Sequence, residues 1–524
     1  MKVTIEPWTP FHESLCWMLH DAYWAQRGLA AWQAGEVPHD ATTNFGLATQ
    51  HARLLVDQLV AAGVAEEGAD APIWLLEVGA GQGGFAANLL RALATTCGAI
   101  GRALAPRVRL VLSDFARRSV EEACATEALR EHAAAGRVLP ALLDLRVGGP
   151  PRGFDGVPLE QRFHAVFANY VCCVIPQRSL QRRPDGWYEQ LVEVAMELPA
   201  DPVRAKNPLR DLFSDPTRPE LLKGLELRFA WRPRGLAELL TEPVHRGAVE
   251  RLIDGLEQAT VGYPQGFLDF VRGLAPRLAP GGAVYVTDYG KVEAAELAVL
   301  TDRKPQVYGN SLAHETPFPV FEAFAAAAGW AALRTRDPLR SVQTAVLAPD
   351  HGLIERLRPS FERHQVDCRL GDDLMDYYDT GRRASSEDEH DRAVRYFVRC
   401  VEIDPYSAEY RYRLAESAVD GGFYKLARAA AEVGMALEDG DRHDFEFVLG
   451  RAFCLDDDFS EAIAWYERSL VRDEHWVTHT NLATLYEHEG RFDDARKGYL
   501  RALELKPDYE KARRRLADLS SRIH

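Results

Sequence analysis

Over its first 350 residues the chain alternates short apolar runs with polar, turn-rich connectors. The run that organises the rest is IWLLEVGAGQGGF at positions 73–85. Four apolar residues lead into Glu77, and the chain then breaks into a glycine loop. Residues 85–93 continue with helical character, the pattern of a buried strand, a tight turn and a helix start. Further runs at 108–114, 138–144, 163–168 and 283–287 close on polar residues: Asp114, Asp144, Asn169-Tyr170 and Asp288-Tyr289-Gly290. Helices are expected at 267–278 and 320–328. Two β-like runs at 331–336 and 341–347 predict a closing antiparallel hairpin. The reading is an α/β fold, a Rossmann-like seven-stranded sheet over 71–350. In open α/β sheets the ligand sits beyond the carboxyl ends of the strands.

The flanks differ. Residues 1–70 read as mostly helical and carry Trp8, Trp17, Tyr23, Trp24 and Trp32. A helical cap on the core is the expectation, and a lid formed by the polar stretch 35–44 is the alternative. Between the fourth and fifth strands, 177–262 is a long insert rich in Arg, Pro and Leu. It is read as the substrate-selecting element, against a plain helical decoration. Residues 351–373 read as a linker helix.

Beyond that linker a repeat emerges. Ala393, Ala427, Ala462 and Ala495 recur at intervals of 34, 35 and 33, and four positions after each come Phe397, Ala431, Tyr466 and Tyr499. This is the tetratricopeptide (TPR) pattern, clearest at 481–507. The small residue lets two helices approach, and the aromatic fills the gap between neighbouring pairs. About four repeats and a capping helix are expected over 374–524, because a single pair cannot bury its own face. Such arrays present a concave surface to a protein or peptide. The alternative is a scaffold that only stabilises or dimerises the chain.

Charge narrows the partners. A formal net charge of −16 argues against a nucleic-acid surface as the main business. No run of about 18 apolar residues offers a membrane span, and no leader pattern opens the chain. Eight cysteines are scattered, without a CxxC pair to suggest zinc or a redox dithiol. No metal is expected, and reduced thiols fit a cytoplasmic protein.

The loop chemistry then becomes informative. Gly79, Gly81 and Gly84 satisfy the dinucleotide GxGxxG pattern. Gly79, Gly81 and Gly83 equally fit the GxGxG loop of class I S-adenosylmethionine (SAM) methyltransferases. Glu77 decides between them. A carboxylate at the strand end repels a pyrophosphate but attracts a sulfonium and an ammonium. Cofactor contacts are therefore expected from Glu77, Gly79, Ala80, Gly81 and Gly83. Asp114 is expected on the ribose or as a helix cap, Asp144 on the adenine, and Asn169 as a further cofactor contact. Asn169, Tyr170 and Asp288 are the substrate-side candidates. No general base is assigned, because in-line methyl transfer rests on positioning and electrostatics. Cys172 and Cys173, beside Val171 and Val174, read as core.

Residues 1–350 resemble the MidA-like family of SAM-dependent methyltransferases, which includes the mitochondrial complex I assembly enzyme acting on a protein arginine. The matching pieces begin at Glu77 with its glycine loop. They continue with Ala168-Asn169 followed by Ile175-Pro176, Trp187 with Glu189, and Thr287-Asp288-Tyr289-Gly290. Upstream, 40–46 matches a loop containing aspartate and threonine. The resemblance implies a protein-arginine acceptor, yet the chain departs from it. Where the family has Asn-Glu and then Leu-Asp, this chain has Asn169-Tyr170 and Cys172-Cys173. A guanidinium needs carboxylates, and Glu189, Asp288 and Glu315 are the acids left to supply them. A methyltransferase whose repeats recruit a protein or peptide is the leading reading. A small-molecule methyltransferase docked to partners by its TPR module, and a non-catalytic assembly factor, are the alternatives.

Overall fold

The strands at the centre of the domain are continuous apolar runs because both faces are covered, as parallel strands require. A computed structural model describes residues 2–33, 43–66, 71–197, 207–437 and 440–523. The chain falls into two units, Met1–Asp372 and Asp373–His524.

In the first unit β1 is Lys2–Pro10, β2 Ile73–Val78, β3 Val108–Asp114, β4 Val138–Leu142 and β5 Phe163–Asn169. The insert contributes β6 (Arg178–Arg183), β7 (Gly186–Glu197), β8 (Leu225–Pro233) and β9 (Ala259–Tyr263). Then come β10 (Leu278–Asp288), β11 (Gln306–Tyr308), β12 (Ser311–Ala313), β13 (Ala331–Arg334) and β14 (Gln343–Ala348). The main sheet has seven strands in the order β13-β14-β10-β5-β2-β3-β4. Strands β10, β5, β2, β3 and β4 run parallel, and β13 and β14 form the antiparallel hairpin. The α/β expectation holds, with β2 in the middle. Strand order reverses beside β2, which is where such sheets open a crevice.

Two expectations and one alternative are corrected. The N-terminal 1–70 region is not only helical: β1 opens it and pairs antiparallel with β7 of the insert. Helices α1 (Leu15–Arg27) and α2 (Phe45–Ala61) follow. The insert 177–262 is no helical decoration either. Its strands join β1 in a second, antiparallel sheet, where β7 pairs with β1, β6 and β8, and β6 also with β9. The segment read as a linker at 351–373 belongs to the core. Helix His351–Phe361 buries Leu353, Ile354, Leu357 and Phe361 in the same apolar cluster as α2 residues Leu55 and Leu59. The stretch proposed as a lid lies outside the described residues through position 42; Asn44 caps α2 by accepting from Leu47 N at 2.8 Å.

The second unit is a helical repeat. Four pairs run Leu370–Ser386 with His390–Ile403, Ala408–Asp420 with Tyr424–Met435, Phe445–Leu455 with Phe459–Arg472, and Trp476–His488 with Phe492–Leu505. Glu510–Ile523 closes the array. Ala393, Ala427, Ala462 and Ala495 all lie on second helices and are fully buried. In the first and third pairs the aromatic that follows enters a gap left by a glycine on the first helix: a Cβ on Gly450 would come within 2.6 Å of the Tyr466 ring, and one on Gly381 within 2.9 Å of the Phe397 ring. Replacing Tyr466 with Ala opens that gap and costs about 3–5 kcal/mol. Circular dichroism should show the helical repeat melting at lower temperature, with SAM affinity unchanged. No helix among the described residues is long and apolar enough to cross a membrane.

Candidate active site

The glycine loop is fastened to the neighbouring strand end. Gly79 N and Ala80 N both donate to Ser113 O at 2.9 Å, and Ser113 Oγ donates to Glu77 O at 2.7 Å. Gly79 has φ +78°, and a Cβ there would stand 2.8 Å from a Val171 methyl. Only glycine meets both demands. Gly81 (φ +50°) lies beside Trp32. The loop hands over to α3 (Gly84–Thr95), whose N-cap is Gly83.

Beyond these strand ends lies a cavity of about 340 Å³, within the range of small-molecule and cofactor sites. Glu77, Gly79, Ala80, Gly81, Asp114, Asp144, Asn169 and Tyr170 all line it. Glu77 is 4 % exposed, its Oε2 has no hydrogen-bond partner, and burial pushes its carboxyl well above the usual range. Both side-chain heteroatoms of Asn169 are buried and unpartnered as well. Buried polar groups are normally satisfied, so these atoms mark where a ligand completes the structure.

Asp114 accepts from Ala116 N at 2.9 Å, just before helix Arg117–Ala125, so it also orders that helix entry. Burial pushes its carboxyl up to about 6, against the pull of backbone N–H groups that include those of Ala80 and Gly81. Asp144 lies just past β4 and is gripped by Arg146, Nε to Oδ1 at 2.9 Å and Nη2 to Oδ2 at 2.7 Å. Tyr170 sits at φ +52°, unusual for a side-chain-bearing residue, with its N–H held by Thr287 O. Its ring meets Tyr289 edge-on at 5.9 Å, and burial raises its phenol.

Two expected residues stand outside the lining. Gly83 faces the interior, where a Cβ would press within 2.6 Å of Leu129. Asp288 is fully buried and accepts from Cys173 N (2.8 Å) and Tyr289 N (2.9 Å). Burial pushes it up to about 7 against those backbone donors. It braces the turn that follows β5 against the end of β10 and lies outside the cavity lining. Cys172 and Cys173 are buried, and burial raises both thiols.

The remaining walls come from elsewhere than expected. No residue of the insert lines this cavity; α1 and the segment after β10 do. The first gives His20, Asp21 and Trp24, the second Tyr289, Gln306, Tyr308 and Ser311. Trp24 donates to Ser311 Oγ at 3.3 Å and packs on Trp32 at 5.0 Å between ring centroids. His20 Nδ1 accepts from Leu312 N at 2.9 Å, and burial pushes the imidazole down to about 3, so it is neutral. The aromatic richness of the N-terminus was the one sequence signal for this wall.

Comparison with protein families gives two matches. Residues 52–318 match the family described as "Putative S-adenosyl-L-methionine-dependent methyltransferase". The chain belongs to this family. Residues 447–474 and 478–513 match the tetratricopeptide repeat. The protein is therefore a SAM-dependent methyltransferase with a C-terminal TPR array. Comparison with curated proteins found no match. Among solved structures, the methyltransferase is similar to a Burkholderia thailandensis protein bound to S-adenosyl-homocysteine and described as a "likely methyl transferase". Identity is 20%, coverage 66% of this chain and 88% of that one, and the TM-score 0.43. It is also similar to MamA from Desulfovibrio magneticus (20% identity, 30% of this chain and 85% of that one, TM-score 0.25). A third similarity is to YrrB, described as a TPR protein with an unusual peptide-binding site (19%, 28% and 75%, TM-score 0.24).

Proposed function

We propose that the methyltransferase holds SAM in the 340 Å³ cavity and methylates a neutral nucleophile, on a protein or peptide recruited by its repeats, in the cytoplasm. The observation that carries the first part is the buried, partnerless Oε2 of Glu77. A carboxylate in that state calls for a cation, and a pyrophosphate there would meet repulsion.

Gly79, Ala80 and Gly81 let the ligand approach the backbone. Asp114 takes the ribose hydroxyls, and Asp144, oriented by Arg146, faces the adenine end. Bound SAM supplies an electrophilic methyl group on a sulfonium. Asn169 offers both a donor and an acceptor to the incoming nucleophile, and Tyr170 and Tyr289 provide aromatic walls that exclude water from it. Neither Tyr170 nor neutral His20 is tuned as a base at neutral pH, so the chain contributes orientation and desolvation.

An arginine acceptor is disfavoured by where the remaining acids sit. Glu189 is taken by Arg178, Arg232 and Arg234. Asp288 is taken by backbone N–H groups. Neither lines the cavity, Glu315 lines the neighbouring one, and Asp21, the acid of this lining not assigned to SAM, is paired with Arg146, which leaves a guanidinium without the carboxylate pair it needs there.

The test is methyl transfer from tritiated SAM into fractionated cell extract. The label should enter protein. Tyr466→Ala should reduce protein labelling while sparing SAM affinity, and Asn169→Ala should lower kcat about tenfold or more. Label confined to small molecules would overturn recruitment of a protein acceptor.

A further inference from the structure

Behind the wall formed by Gln306 and Ala313 lies a second cavity, of about 260 Å³. Gln306 and Ala313 also line the first cavity, so the two share that wall. The insert, absent from the first cavity, contributes Thr260 and Gly262 here.

Its central group is Arg303. The backbone of Arg303 is clamped by Gln190, whose Oε1 accepts from Arg303 N at 3.2 Å and whose Nε2 donates to Arg303 O at 3.4 Å. The guanidinium is aimed by Nη2, which donates to Gln177 Oε1 and to Glu315 O, each at 3.0 Å. Gly262 makes room for it: a Cβ there would overlap the guanidinium. Nη1 is left buried with no partner, and among the described residues Arg303 has no ion pair. His314 Nε2, in the same lining, is also buried and unpartnered.

A fixed, buried guanidinium without a counter-ion is costly. Burial pushes its pKa down to about 10, against the pull of the Glu315 carboxylate. Lys291 and Lys304 line the cavity too, and Lys291 Nζ is engaged by Glu296 O at 2.9 Å. Two acids also line it: Asp302, which accepts from Trp231 Nε1 at 2.8 Å, and exposed Glu315. Three cations against two carboxylates leave room for one negative charge rather than a phosphate dianion.

We propose that this second cavity binds a carboxylate of the methyl acceptor through Nη1 of Arg303, fixing the acceptor against the Gln306 wall. The proposal rests on the methyltransferase reading above and assigns the acceptor an acidic group. Nη2 is committed to Gln177 and Glu315 O, so the carboxylate is held by Nη1 in a charge-assisted hydrogen bond. A peptide side chain and a free organic acid carry the same group.

The test uses the full chain, saturated with S-adenosyl-homocysteine, in ligand-observed NMR titrations. The probes are N-acetyl-glutamate methylamide for a peptide side chain, benzoate for a free acid, and inorganic phosphate. At least one carboxylate should bind, and its identity tells which source the cavity prefers. Arg303→Gln should weaken it at least about tenfold, with Arg303→Lys between the two. Gly262→Ala, which displaces the guanidinium without removing it, should weaken it as well. S-adenosyl-homocysteine affinity, measured separately, should stay unchanged. If neither carboxylate binds, if phosphate binds more tightly than both, or if Arg303→Gln binds equally well, the proposal fails. Loss of S-adenosyl-homocysteine binding by the unaltered chain would instead overturn the cofactor assignment, and the carboxylate titrations are then repeated without it. Should Arg303→Gln not fold, Arg303→Lys and Gly262→Ala carry the comparison.

Discussion

Replacing Glu77 with Gln weakens SAM binding by roughly a hundredfold to a few thousandfold and at the same time raises the melting temperature of the ligand-free protein. The first effect follows from removing one partner of a buried ion pair, which costs about 3–5 kcal/mol in comparable cases. The second follows from the free state, where the carboxylate is buried and its Oε2 unpartnered. A residue there for structure alone would lower both quantities. The pH dependence has a definite sign. Burial raises the folded-state pKa of Glu77, so between the ordinary carboxylate range and that raised value the folded protein holds a proton that the unfolded chain has released. Its contribution to stability therefore falls as pH rises through this interval. A bound cation favours the charged form, so SAM binding expels the proton and affinity rises with pH over the same interval. In the Gln variant both trends are weaker, and what remains belongs to Asp114 and Asp288, which burial also raises. Calorimetry from about pH 5 to about pH 6.5, below the titration of the ligand's own amino group, measures the affinities, and thermal melts measure the stability.

Gly79→Val abolishes SAM binding. The residue has φ +78°, which a β-branched side chain resists, and even its Cβ would stand 2.8 Å from Val171. Relief must move the loop off Ser113 O, and with it the two N–H groups that hold the turn. Gly81→Val, by comparison, has open space at its Cβ, the nearest atom being on Trp32 at 3.7 Å; its cost lies in its φ of +50°. The loss for Gly79→Val should therefore exceed that for Gly81→Val. Retained affinity in both would move the site elsewhere. The helical repeat, read by its far-ultraviolet signal, should melt as in the parent protein.

The main sheet was legible because its strands are buried on both faces, so each reads as an unbroken apolar run stopped by an acid, an amide or a glycine. β1 left no such trace. Its residues are half exposed and their pairing is with β7, far along the chain, and long-range pairing has no local signature. The strands of the insert went unread for the same reason, since they have polar residues on one face. Helix His351–Phe361 could have been placed in the core from Leu353, Ile354, Leu357 and Phe361, which share one face. Asp288 shows the limit of reading roles from strand ends: an acid there can serve a ligand or the backbone of a neighbouring turn, and Cys173 N decides for the turn. Glu77 and Asn169 stood out in the sequence as site candidates; that their polar atoms are partnerless required the structure.

The most direct test of the account is isothermal titration of SAM, and in parallel of NAD, into the purified full chain. The expected result is one SAM site with proton release on binding and no measurable NAD binding. An absence of SAM binding, or tighter binding of NAD, would contradict it.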